Sequence, residues 1–177
     1  VEIVRELLKH RGSLKGRLRL FFDKGGYSGL IFLALSKESG VRFYVPAMRY
    51  ASNVTQWEQL QEDDFDATLF TFDKHADWPV DRRPVYRLAD TEMTLNVREG
   101  GKVVDTVTLR AVVLHDPQGE KPAERWPVVI LTDDREIDAQ ALLNEYGDHW
   151  GQETAHRIGK HDLYLDILPP GYVLKTQ

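Results

Sequence analysis

The chain has 177 residues, a mass of 20.4 kDa, a formal net charge of −5 and no cysteine. That length suits one substantial domain or a domain with a large insertion, and the missing cysteines exclude disulfide staples, thiolate zinc sites and cysteine nucleophiles. The acidic balance, with a pI near 5.7, argues against a stand-alone nucleic-acid-binding module, which is usually basic. Val1, Val4, Leu7 and Leu8 form a helical stripe that Gly12 ends. A chain starting at Val with a helix in progress reads as a piece of a longer protein. No apolar run reaches bilayer length and no signal-peptide core opens the chain, so the expectation is a soluble, cytoplasmic protein.

Residues 17–22 (RLRLFF) alternate and then turn fully apolar, as a strand entering a sheet does. Asp23 closes that strand, a glycine turn at Gly25 and Gly26 follows, and Leu30, Ile31, Leu33, Ala34 and Leu35 form an apolar helical run. In open α/β folds ligands gather at the carboxyl ends of strands, so Asp23 is a candidate functional group. A turn-capping aspartate is the competing reading. Residues 41–45 (VRFYV) read as the next strand, closed by Pro46, and a short amphipathic helix is expected around 54–60.

The acidic run Glu62, Asp63, Asp64 and Asp66 marks a change of texture. Residues 67–132 read as short β segments, ATLFTF, PVYRLA, TEMTLNVRE, KVVDTVTLRAVVLH and WPVVILT, with Gly100-Gly101 as a hairpin turn. An antiparallel block therefore divides the chain into 1–62, 63–132 and 133–177, and it is expected to position the helix that follows. Asp133 or Asp138 is placed to cap that helix, with Glu136 in capping-box position from Asp133.

The final helical pattern carries two stripes. Ala139, Leu142, Leu143, Tyr146 and Trp150 form the apolar one, while Tyr146, His149, Glu153, Arg157 and Lys160 step by three or four residues along a polar one. A solvated face explains such a stripe in most helices. A carboxylate turned inward would instead need a partner, a proton or a metal. The histidines show no zinc-type spacing. Basic residues concentrate in the first twenty positions, where they suit either DNA backbone or a solvated face.

Two motifs now combine. The spacing Tyr146-x2-His149-x3-Glu153-x6-Lys160 resembles the Tyr-x2-Arg-x3-Glu-x6-Lys signature of bacterial DDE transposases of the insertion sequence four group, and Trp150 stands where many of them carry Trp. Asp23-Lys24-Gly25-Gly26-Tyr27 resembles the Asp-x-Gly-x-Tyr stretch that holds their second catalytic aspartate. The resemblance covers about residues 17–160. It implies an α/β, RNase H-like (retroviral-integrase-like) catalytic core, with the β block as an insertion before the glutamate-bearing helix.

The implied chemistry is cleavage of a DNA phosphodiester and joining of its 3′ oxygen to target DNA with two Mg²⁺ ions, for which Mn²⁺ substitutes. Hard cations take carboxylate oxygens, and by resemblance Asp23 and Glu153 bind the metal and are catalytic. Tyr146 and Lys160 would hold phosphates of the transposon end with His149 in the arginine position, and Arg157 joins this DNA-binding set. Implied partners are transposon-end and target DNA and a second copy in a synaptic homodimer, in a bacterial, nucleoid-associated setting. Two departures stand out. Nothing upstream of Asp23 supplies the family's first aspartate, and His149 lacks the permanent charge and bidentate fork of arginine. A non-catalytic remnant that binds DNA or pairs with an intact transposase is therefore the alternative. The catalytic reading makes a geometric demand: Asp23 and Glu153 must face one cleft, since paired ions sit about 4 Å apart.

Overall fold

The computed structural model describes residues 6, 9, 18–23, 26–38, 40–116 and 128–148. It is an α/β structure built on one mixed five-stranded sheet, in the order β1-β2-β5-β4-β3. The strands are β1 (Leu18–Phe21), β2 (Val41–Pro46), β3 (Arg87–Glu99), β4 (Lys102–His115) and β5 (Val128–Thr132). Helix α1 (Gly29–Leu35) crosses from β1 to β2, which run parallel with Leu18 opposite Val41 and Phe21 opposite Tyr44. Helix α2 (Ala51–Trp57) follows, and helix α3 occupies 139–148 after β5. Glu6 and Lys9 are helical and paired at 3.1 Å. Among the described residues no helix is long and apolar enough to cross a membrane.

Strands covered on both faces should read as continuous apolar runs, and β2 and β5 do. Val41, Phe43 and Val45 point to one face, where they meet Phe32 and Leu35 of α1, Trp57 of α2, and Met93, Leu95, Val97, Leu109 and Ala111 of the hairpin. Tyr44 and Ile130 point to the other face, where Ala139, Leu142 and Leu143 of α3 pack with Phe70 and Leu88. The sheet is thus a middle layer, with α1 and α2 on one side and α3 on the other. The apolar stripe expected on α3 is the one buried: Ala139, Leu142 and Leu143 are nearly inaccessible, and Tyr146 is partly so.

Gly100 and Gly101 join β3 to β4 with φ of 54° and 82°. Positive φ at both central residues defines the type I′ turn, whose twist matches that of the flanking strands. Beyond this hairpin the β block differs in detail from the expected segments. PVYRLA and TEMTLNVRE merge into β3, because Asp90 does not interrupt the strand: its side chain turns to Arg110 on β4. ATLFTF forms no strand and makes a single bridge, Phe70 with Tyr86. Pro84 just before Tyr86 cannot donate to a ladder, and Phe70 and Phe72 spend their rings on the α3-side core instead. Three 3-10 turns fill the rest of 62–82. Strand β5 pairs with β4 on one side and β2 on the other, so residues 63–132 share a continuous sheet with the front of the chain.

Gly29 shows how closely α1 sits on the hairpin. A Cβ there would lie 3.2 Å from Val97 Cα, a backbone atom that cannot step aside. A branched side chain forces that contact apart, so Gly29→Val is expected to cost about 1–3 kcal/mol. A urea midpoint unchanged from wild type would show that α1 can shift.

Candidate functional site

Asp23 lies at the carboxyl end of β1, exposed, with its Oδ1 accepting the Gly26 backbone N–H at 3.2 Å. The Asp23 carbonyl accepts the same N–H at 3.1 Å. This bond closes the glycine turn and leaves the carboxylate at the surface. Tyr27, the tyrosine of the Asp-x-Gly-x-Tyr stretch, points away into the first core. Its hydroxyl accepts a 2.8 Å bond from Asn53, and burial raises its pKa.

Helix α3 brings Tyr146, the first residue of the second motif, to the same strand end. The Tyr146 hydroxyl donates to the Phe22 carbonyl at 3.2 Å, one residue before Asp23, and its ring lies 6.3 Å from that of Phe21. One residue earlier on the helix, both Glu145 oxygens accept from one Arg19 nitrogen of β1, at 2.6 and 2.7 Å. Both partners are more than 40% exposed, so this pair orients the helix and contributes little stability, about 0–1 kcal/mol. Of the polar stripe, only Tyr146 falls in the described part of the chain; His149, Glu153, Arg157 and Lys160 lie outside the described residues.

The turn that leads into α3 is tied to the sheet through Asp133, Asp134, Arg135 and Ile137. Asp138 caps the helix, its Oδ1 accepting the N–H groups of Gln140 and Ala141 at 2.9 and 3.1 Å. Asp133, the other cap candidate, is turned away: it accepts from Phe43 N–H at 3.0 Å and from Arg42 at 3.3 Å. Burial raises its pKa, and those two partners only partly offset it. Asp134 is 4% exposed and takes the role expected of neither. Its carboxylate accepts from Glu136 N–H at 2.9 Å, Ile137 N–H at 3.3 Å and the Tyr44 hydroxyl at 2.7 Å. Burial pushes its pKa upward, but these three hydrogen bonds and the Arg42 charge outweigh burial and the net shift is downward. Tyr44 is driven well above the usual phenol range, first by burial and then by Asp134.

On its open flank α3 meets the 62–86 segment. Asn144 accepts from Asp73 N–H at 3.0 Å, and the Phe72 ring lies where a Cβ on Gly147 would come within 3.1 Å. Phe72 in turn contacts Phe70, Tyr86 and His75 edge-on. Sequence reasoning missed Asp134, Tyr44 and Arg110 as determinants of this site. The available signal was a charged or hydroxylated side chain inside an apolar strand or just beyond its end, which must find a partner once buried.

Among the described residues no three histidine or acidic side chains gather to hold a metal. Asp23 offers one carboxylate of the type a hard cation takes, and a metal there needs further ligands beside it. No family model matches the chain, and no curated protein matches it either.

Proposed function

We propose that the chain is the catalytic-domain portion of a DDE DNA transposase of the insertion sequence four group, with an RNase H-like core and the β hairpin inserted before the glutamate-bearing helix. The observation that carries this reading is the Tyr146–Phe22 hydrogen bond. It brings Tyr146, the first residue of one motif, to Phe22, the residue before Asp23 of the other, 124 positions away. The parallel β1–β2 pair with α1 between is also what an RNase H-like core requires after its second aspartate. Glu153 follows Tyr146 by seven residues, two helical turns, and so shares its face in a continuous helix.

In this reading Asp23 and Glu153 are metal ligands, joined by an aspartate from an upstream strand. Bound Mg²⁺ would supply activation of the attacking oxygen and stabilisation of the leaving one. The chain's own residues place that chemistry: the glycine turn holds Asp23 outward, and α3 docks against the strand end. Tyr146 spends its only proton donor on Phe22. To hold a DNA phosphate it must release that carbonyl, so end binding and the α3 contact compete. DNA, a second copy of the chain and a nucleoid location follow as parts of the same proposal.

The test is Mn²⁺-dependent nicking of a plasmid carrying the DNA that flanks the coding sequence, by the chain joined to the segment encoded before Val1. Nicking and strand transfer are expected only with that segment present. Failure in both forms, with end binding retained, favours the second reading, a non-catalytic remnant, which His149 in the arginine position supports. His149→Arg is expected to tighten end binding and steepen its salt dependence by about one counterion, near 0.9 in the logarithmic slope. An unchanged slope would place His149 away from phosphate.

A further inference from the structure

The Arg110 side chain is the one charge buried in the middle of the hairpin, and its contacts run in two directions. Towards β3 it grips Asp90, Nε to Oδ1 at 2.9 Å and Nη2 to Oδ2 at 2.6 Å. Away from the hairpin, its Nη1 donates to the carbonyls of Asp134 at 3.0 Å and Ile137 at 2.6 Å. Those carbonyls bracket the turn that ends at the Asp138 cap of α3. The guanidinium is 8% exposed as a residue and raised in pKa chiefly by the Asp90 hydrogen bonds. A second link runs beside it, Arg135 to Glu92 at 2.5 Å, but both its partners are more than half exposed.

Burying a guanidinium is costly unless each donor is met, and a smaller apolar residue would fill the strand more cheaply. What the arginine adds is geometry. Its planar fork fixes Asp90 on one edge and two main-chain carbonyls on the other, which neither an ammonium nor an apolar group can do. We propose that Arg110 is a positioning residue: it sets α3 relative to the hairpin, and through α3 it sets Tyr146 at the Phe22 carbonyl. The activity arm of this proposal rests on the transposase reading, but the docking arm does not.

Hydrogen exchange on the 177-residue chain tests the docking arm. Arg110→Met is expected to lower protection of α3 amides by about tenfold or more, the scale of hydrogen bonds lost to a charged group. Hairpin amides in 93–97 and 105–109 should keep their protection. Loss spread evenly over hairpin and helix, or no loss in either, overturns the proposal. If Arg110→Met does not fold, Arg110→Lys carries the same test, since it retains the charge and one partner but cannot span both sides. In the chain extended upstream, Arg110→Lys is expected to lower the nicking rate by about 10²-fold, as a displacement near 1 Å does, and to shift end affinity with it because Tyr146 moves with α3. A rate that falls only in proportion to the folded fraction would mark a merely structural role. If Asp23→Asn leaves nicking intact, the transposase reading fails on its own, and the exchange experiment still decides the tether.

Discussion

Asp23→Asn, in the chain extended upstream, is expected to lower Mn²⁺-dependent nicking by about 10³-fold or more while leaving the melting temperature near that of wild type. The two halves have different causes. Asp23 is exposed and its one described side-chain bond is to Gly26 N–H at 3.2 Å, an acceptor role that the Asn carbonyl keeps, so stability should change by less than about 0.5 kcal/mol. The lost negative charge is another matter. A hard cation held by few carboxylates gives up much of its attraction when one turns neutral, and losing one electrostatic group of an active site already costs about 10²–10³-fold. Asp23→Ala should be equally inactive and slightly less stable, since Gly26 N–H then keeps the main-chain carbonyl of residue 23 but loses the side-chain acceptor. Nicking at the wild-type rate by either variant would end the catalytic assignment of Asp23 and return it to a turn cap.

Much of the fold was legible because it is local. The Gly100-Gly101 turn, the limits of β4 and the buried stripe of α3 follow from period and turn chemistry within a few residues of each other. The sheet order was not legible, because the placement of β5 between β2 and β4 depends on partners more than 80 positions away, such as Tyr44 opposite Thr132. Asp90 shows the same limit at one residue. In sequence it looks like a strand break, and only Arg110 across the ladder makes it a strand residue. At the candidate site, Asp23 and Tyr146 were found by spacing, but the residues that hold them were not. Arg19, Phe22 and Asp134 act through contacts with no fixed sequence offset.

Asp134→Ala is expected to be the most destabilising single polar change among the described residues, at about 3 kcal/mol, lowering the melting temperature by about 6–12 °C. The reason is what it strands. The Tyr44 hydroxyl is wholly buried between β1 and β5 and loses its 2.7 Å acceptor, while the Glu136 and Ile137 amides lose theirs at the entry to α3. Tyr44→Phe removes the stranded hydroxyl, so the double variant should be less destabilised than the sum of the two single ones. The pH dependence separates this residue from its neighbour. Because the fold depresses the Asp134 pKa below 3.8, its stabilisation is complete above that value and is lost as pH falls through the lower, folded-state pKa. Asp134→Asn should therefore differ most from wild type near neutrality and converge with it in acid. Asp133 has the opposite sign: the fold raises its pKa above 3.8 through burial, so ionising it subtracts stability as pH climbs from 3.8 through the folded-state value. Asp133→Asn removes that loss, and its stability relative to wild type should rise with pH over the same window. Urea titrations of both variants from acid to neutral pH measure the two slopes, and slopes of the same sign would show that Arg42 and the Phe43 amide, not burial, govern Asp133.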